Sequence, residues 1–127
     1  MQPTQLRIAL SLLALAACLN PALGRAEDAA QGARQFEQSC AMCHSLVPGK
    51  TKFGPSLNAM IGRPAGGSPG YSYSDALRSS GLTWTPDKLS AFLEDPRKLV
   101  PGTRMSFGGI ADVEQRANLI AFLAQPR

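Results

Sequence analysis

The 127-residue chain has one histidine, His44. No stretch of it alternates apolar and polar residues with the period of a strand, so a sheet-based fold has nothing to build on. It also lacks internal repeats and low-complexity tracts. Its longest almost unbroken apolar run, residues 8–19, falls short of the roughly 20 residues that a membrane-spanning helix needs. Strong charge of either sign is missing too: 13 basic residues stand against 9 acidic, and 11 against 9 once Arg7 and Arg25 are set aside. A nucleic-acid-binding domain usually carries a marked basic excess, so no nucleic-acid partner is expected.

Residues 1–26 have the pattern of a targeting segment. Arg7 supplies a sparse positive region, the apolar run follows, Asn20 and Pro21 break it, and small residues stand at Ala22, Gly24 and Ala26. The expectation is a signal peptide at 1–26, export to the periplasm, and a mature domain at 27–127. One alternative stays open. Leu15-Ala16-Ala17-Cys18 also resembles a lipoprotein processing site, in which case the mature chain is lipid-anchored through Cys18.

The remaining hundred or so residues predict an all-α domain with three main helices. The first spans about 28–40, with Asp28 as N-cap, Gln31 three residues on, and Ala29, Ala33, Phe36 and Cys40 on one face. Gly32 inside it costs about 1 kcal/mol relative to Ala, which a close helix–helix crossing would explain. The second begins at Thr85 with Pro86 in the first turn and ends before Pro96. The third begins at Asp112, with Gln115 completing a capping pattern, and Ala117, Leu119, Ile120, Phe122 and Leu123 forming its apolar side. Between them lie glycine- and proline-rich stretches around 48–55, 62–70 and 100–109. Such long loops suit a compact domain only if they wrap something bulky.

Three cysteines are present, and two of them fall in the mature part. Cys40-Ala41-Met42-Cys43-His44 has the spacing of a covalent haem attachment. Two thiols three residues apart reach two vinyl groups on one porphyrin edge, and the next residue turns its imidazole toward the iron. A thioredoxin-like pair would need a preceding strand. A tetrahedral zinc site would need four ligands, where only Cys40, Cys43 and His44 are available. A plain disulfide leaves His44 unexplained. With no second histidine, the sixth iron ligand is expected to be a methionine. Met42 sits inside the attachment loop and Met60 in an apolar run, so Met105, in a Pro/Gly-containing loop between helices, is the favoured candidate.

The chain resembles the class I cytochromes c, the mitochondrial protein and its bacterial relatives. The resemblance rests on Gly32 and Phe36, CAMCH at 40–44, GPSL at 54–57, GRPAGGSPGYSYSDA at 62–76, Trp84, FLEDPRKLVPGTRMSFGGI at 92–110 and RANLIAFL at 116–123. It implies the class I cytochrome c fold around one covalent haem c held by Cys40 and Cys43, with His44 and Met105 as axial ligands. The Pro55 carbonyl would accept from His44. Arg63, Tyr73, Ser74 and Trp84 would surround the haem propionates, and Thr103 would bond on the same side. Gly32 and Phe36 would pack on Leu119 and Phe122, and Phe107 would lie beside the haem edge. Three positions depart from the family habit: Phe92 where a Tyr is common, Leu77 where an Asn is common, and Thr51 in place of a His.

The function so implied is outer-sphere electron transfer by a monomeric carrier, not an enzyme. Its partners would be membrane redox complexes: a quinol–cytochrome c reductase of the bc1 type on one side, a terminal oxidase or photosynthetic reaction centre on the other. Lys50, Lys52, Arg97, Lys98 and Arg104 are the expected basic patch that steers them. A gas sensor or enzyme with a displaceable Met105 is the competing class, separated from the carrier by binding of exogenous ligand.

Overall fold

The computed structural model describes residues 27–127, and the signal peptide expected at 1–26, with the alternative lipid anchor at Cys18, lies outside them. Among the described residues are five helices and no strand: α1 Ala29–Ser39, α2 Asp75–Arg78, α3 Pro86–Glu94, α4 Pro96–Leu99 and α5 Val113–Leu123. The three expected helices are α1, α3 and α5. The two additional ones are single turns that carry no amphipathic period for a sequence reading to detect.

Each helix start is set by a side-chain oxygen that takes up otherwise unpaired N–H groups. Asp28 accepts from the backbone N–H of Ala30 and Gln31, and these bonds, that to Gln31 foremost, hold its carboxyl below the usual range. Thr85 accepts from Lys88 and Asp112 from Gln115. Pro96, expected only to end a helix, also begins one. Asp95 closes α3, and its carboxylate then caps α4 by accepting from Lys98, with Pro96 in the first turn.

The central packing event is the contact of α1 with α5. A Cβ built on Gly32 would lie 2.0 Å from the Asn118 carbonyl oxygen and 2.7 Å from the Phe122 Cβ. The glycine is therefore what lets the two backbones touch, and its propensity cost is offset by the closeness it permits. Phe36 meets Phe122 with ring centroids 5.7 Å apart. The same crossing is fastened by the Asp28 N–H, which donates to the side-chain oxygen of buried Asn118 at 2.7 Å. Leu119 is fully buried there.

The loops are held by single backbone bonds rather than by a sheet. Trp84 N–H donates to the Arg63 carbonyl at 3.0 Å, Gly62 N–H to the Trp84 carbonyl at 2.9 Å, and Ala65 N–H to the Leu82 carbonyl at 2.8 Å. An isolated bridge between Pro64 and Thr83 completes this seam. It brings residues near 63 and near 84 side by side although twenty positions separate them in sequence.

Replacing Gly32 by Ala gains helix propensity but forces a methyl group into the Asn118 backbone. Overpacking of this kind costs about 1–3 kcal/mol, so Gly32→Ala is expected to lower the urea midpoint of the haem-loaded protein despite the better helix former. An unchanged or higher midpoint would show that the crossing is not close.

Candidate functional site

Among the described residues, a cleft of about 270 Å³ lies between α1, α3, α5 and the loops. All ten side chains singled out from the sequence line it: Cys40, Cys43, His44, Pro55, Arg63, Tyr73, Ser74, Trp84, Thr103 and Met105. They come from six separate stretches of chain, and the loops are what assemble them.

Cys40 is the residue immediately after α1, and its N–H bonds back to the Phe36 carbonyl at 2.8 Å. The helix thus delivers the first thiol to the cleft. A turn follows in which Cys43 and His44 donate to the Cys40 carbonyl at 3.0 and 2.9 Å. Cys40 is buried, and that burial, aided by the nearby Cys43, pushes its thiol up to about 11. The group is neutral at physiological pH, so converting it to a thioether removes no charge. The two cysteines are not joined to each other.

His44 is buried and its Nδ1 lies 2.8 Å from the Pro55 carbonyl oxygen. A carbonyl only accepts, so Nδ1 carries the proton and Nε2 is left with a bare lone pair, the form in which imidazole ligates a metal. Burial holds the ring's pKa below its ordinary range; the Pro55 bond opposes this, and the Lys52 ammonium acts in the same direction as burial. Lys52 is placed there by its bond to the Ala41 carbonyl at 2.5 Å. Behind the ring stands Gly54, where an added Cβ would come within 2.4 Å of the His44 Cε1. Gly54 also donates its N–H to the Cys43 carbonyl at 2.8 Å. One dipeptide, Gly54-Pro55, thereby fixes both the position and the tautomer of the imidazole.

Met105 is half-buried and reaches the cleft from the segment between α4 and α5. Its N–H donates to the Thr103 hydroxyl at 3.3 Å, and Thr103 N–H donates to the Val100 carbonyl at 3.0 Å. Gly102, with φ +92, makes the reversal that an L side chain rarely adopts. Of the other methionines, Met42 is 83% exposed and does not line the cleft, whereas Met60 is buried and does.

The polar wall is less uniform than the sequence suggested. Tyr73 is buried, its hydroxyl accepts from the Ser68 N–H at 3.2 Å, and its ring meets Tyr71 edge-on at 4.8 Å. Ser74 caps α2 by accepting from Leu77 N–H at 3.2 Å. Arg63 donates to the Ser56 and Asn58 carbonyls at 3.1 and 3.2 Å, so part of its guanidinium holds a loop. Trp84 packs on Phe92 with centroids 5.0 Å apart. Phe92 and Leu77, the two positions where a polar side chain is common in the family, are buried and line the cleft with carbon.

Sequence reasoning missed several lining residues, among them Phe53, Leu57, Tyr71, Leu89 and Leu93. Tyr71 had a readable signal, an aromatic two residues before Tyr73 in a glycine-bounded loop. Its hydroxyl donates to the Phe53 carbonyl at 2.9 Å, joining two loops at the cleft. The leucines are indistinguishable in sequence from ordinary core.

These features suit a flat, largely apolar group that is tethered by two thiols and ligated at one nitrogen. The wall is mostly carbon, the thiols and the imidazole follow one helix end, and the imidazole presents an unprotonated nitrogen.

Comparison with known proteins agrees with the geometry. The family model for cytochrome c matches residues 29–126. Cytochrome c2 of Blastochloris viridis is 42% identical over 120 residues, covering 94% of this chain and 92% of that protein. Cytochrome c of Arabidopsis thaliana is 44% identical over 99 residues, 77% of this chain and 88% of that one. Among solved structures, cytochrome cH from Methylobacterium extorquens superposes with a TM-score of 0.72 at 45% identity, covering 76% of this chain and 96% of that one. With this fold, this cleft and the thiol–thiol–imidazole run at 40–44, the chain belongs to the class I cytochromes c: it is an electron-transfer protein carrying covalent haem c.

Proposed function

We propose that this cytochrome is an exported, monomeric shuttle. In this reading it takes single electrons from a bc1-type quinol–cytochrome c reductase and delivers them to a terminal oxidase or a photosynthetic reaction centre. Haem, when bound, supplies the one-electron couple, and the chain's own groups set its ligation and surroundings. His44, held through Pro55, and Met105, on the loop braced by Thr103, are the two residues that would hold the iron. Arg63, Tyr73, Ser74, Trp84 and Thr103 accommodate the propionates, where hydrogen bonds offset the cost of placing charge near an apolar wall.

The observation that carries this reading is the convergence of His44 and Met105, one with a bare imidazole nitrogen and the other on a braced loop, on a single apolar cleft. Two such ligands would leave the iron no open position, which favours a carrier over a catalyst or gas sensor.

Lys50, Lys52, Arg97, Lys98 and Arg104 are all exposed. Lys52 and Arg104 are tied to backbone carbonyls of Ala41 and Ser72, so they present charge at fixed places, and Arg104 itself borders the cleft. This set is the proposed docking charge, and its effect on association is expected to fade with salt.

Two measurements test the proposal. Met105→Ala is expected to abolish the far-red sulfur-to-iron band of the oxidised protein. It should also make the reduced form bind carbon monoxide, and lower the potential by a sizeable part of the roughly 0.8 V that axial ligands span. A spectrum and potential like those of the unaltered protein would remove Met105 from the site. Intact mass of the matured protein decides export. A start after Gly24 or Ala26 is expected, whereas a lipidated Cys18 would convert the soluble shuttle into an anchored one.

A further inference from the structure

The apolar stripe of α5 contains a charge. Leu119, Ile120 and Leu123 are buried, and the position that completes their helical spacing is Arg116, itself buried at 7% exposure. A guanidinium never gives up its proton in a protein, so it must be compensated where it lies. Its Nη1 donates to the Ile110 carbonyl at 2.7 Å and to the Ala111 carbonyl at 2.8 Å, and its Nε donates to the Ser90 hydroxyl at 3.0 Å. Both carbonyls belong to the end of the segment that carries Met105, and Ser90 belongs to α3.

That segment is pinned at the same place by two further contacts. Ile110 N–H donates to the Leu93 carbonyl at 2.8 Å. At Gly109, an added Cβ would lie 2.1 Å from the Glu94 carbonyl oxygen, so the backbone runs directly against the end of α3. Residues 106–108 lack any comparable backbone bond to the helices in the described structure. The root at 110–111 is thus the anchor between the methionine and α5, and Arg116 joins it to two helices at once.

We infer that Arg116 is a positioning residue for the distal ligand: by clamping the 110–111 carbonyls to α3 and α5, it limits how often Met105 leaves the haem. The inference rests on Met105 being that ligand. The clamp acts through a loop-opening equilibrium, because an exogenous ligand that binds only the open form gains apparent affinity in proportion to the open population.

The test is a titration of the ferric holoprotein with imidazole, following loss of the far-red band, alongside urea unfolding. Arg116→Met keeps the apolar stem and leaves no unpaired buried charge. Hydrogen bonds from charged groups are worth enough that imidazole affinity should rise by about tenfold. Arg116→Lys, which keeps one donor group, should fall between. Phe36→Leu is the comparison. It weakens the α1–α5 crossing at the Phe36–Phe122 contact and removes none of the hydrogen bonds that hold 110–111, and its imidazole affinity should stay within about twofold of the unaltered protein's.

An unchanged affinity in Arg116→Met overturns the inference. So does an equal rise in Phe36→Leu at equal loss of urea stability, which would make Arg116 merely structural. If Arg116→Met does not mature with haem, Ser90→Ala decides: a rise of about threefold is expected, and no rise overturns the clamp. Absence of the far-red band in the unaltered protein would instead overturn the assignment of Met105 itself, and the clamp with it.

Discussion

The crossing of α1 and α5 at Gly32 is the contact from which the rest of the site is built. It brings backbone against side-chain Cβ and carbonyl at a distance that only glycine allows. With α1 so placed, its C-terminal end projects Cys40, and three residues later Cys43 and His44, into the cleft that Leu119 and Leu123 of α5 help to line. With α5 so placed, Arg116 stands beneath the segment that bears Met105. Both proposed iron ligands therefore take their reference from one helix pair, although they lie sixty residues apart in the chain.

What the loops contribute is orientation. Gly54 and Pro55 give His44 its ring position and its tautomer, Thr103 and Gly102 shape the approach to Met105, and the seam between 62–65 and 82–84 brings Arg63 beside Trp84. None of these loops has a regular hydrogen-bonding ladder to stabilise it. Their order comes from isolated backbone bonds and from packing on the cleft, which is why a bulky apolar group in that cleft is part of the core rather than a passenger on it. The carbon surface that it covers would otherwise face water, and burying such surface is the dominant favourable contribution to folding.

The wall of the cleft is carbon at two places where the family commonly has polar side chains. Phe92 meets the Trp84 ring at a tilt and Leu77 lies buried against the cleft, so two places that commonly hold polar side chains hold carbon. Fewer polar groups near the metal mean fewer waters to reorganise when charge changes. The polar residues that remain are held in place by the protein itself: Arg63 donates to two carbonyls, while the Ser74 and Tyr73 hydroxyls accept from the Leu77 and Ser68 N–H groups and keep their own protons to donate.

The sequence alone determined the attachment chemistry, the three main helices with their caps, and the identity of Met105 as the best distal candidate. These are local matters: a five-residue run, side-chain oxygens next to helix starts, a 3.6-residue period, and the scarcity of alternative ligands. The resemblance to a family extended this to Pro55, Arg63, Tyr73, Ser74, Trp84 and Thr103, which the fold gathers on one cleft. Tertiary structure alone decided the rest. That Pro96 starts a helix as well as ending one depends on Asp95 turning its carboxylate to the Lys98 N–H. That Gly54 must lack a side chain depends on where the His44 ring lies. That Arg116 is buried rather than solvated depends on which carbonyls meet α5, because a charge on an apolar stripe is tolerated only where the surrounding fold supplies its acceptors.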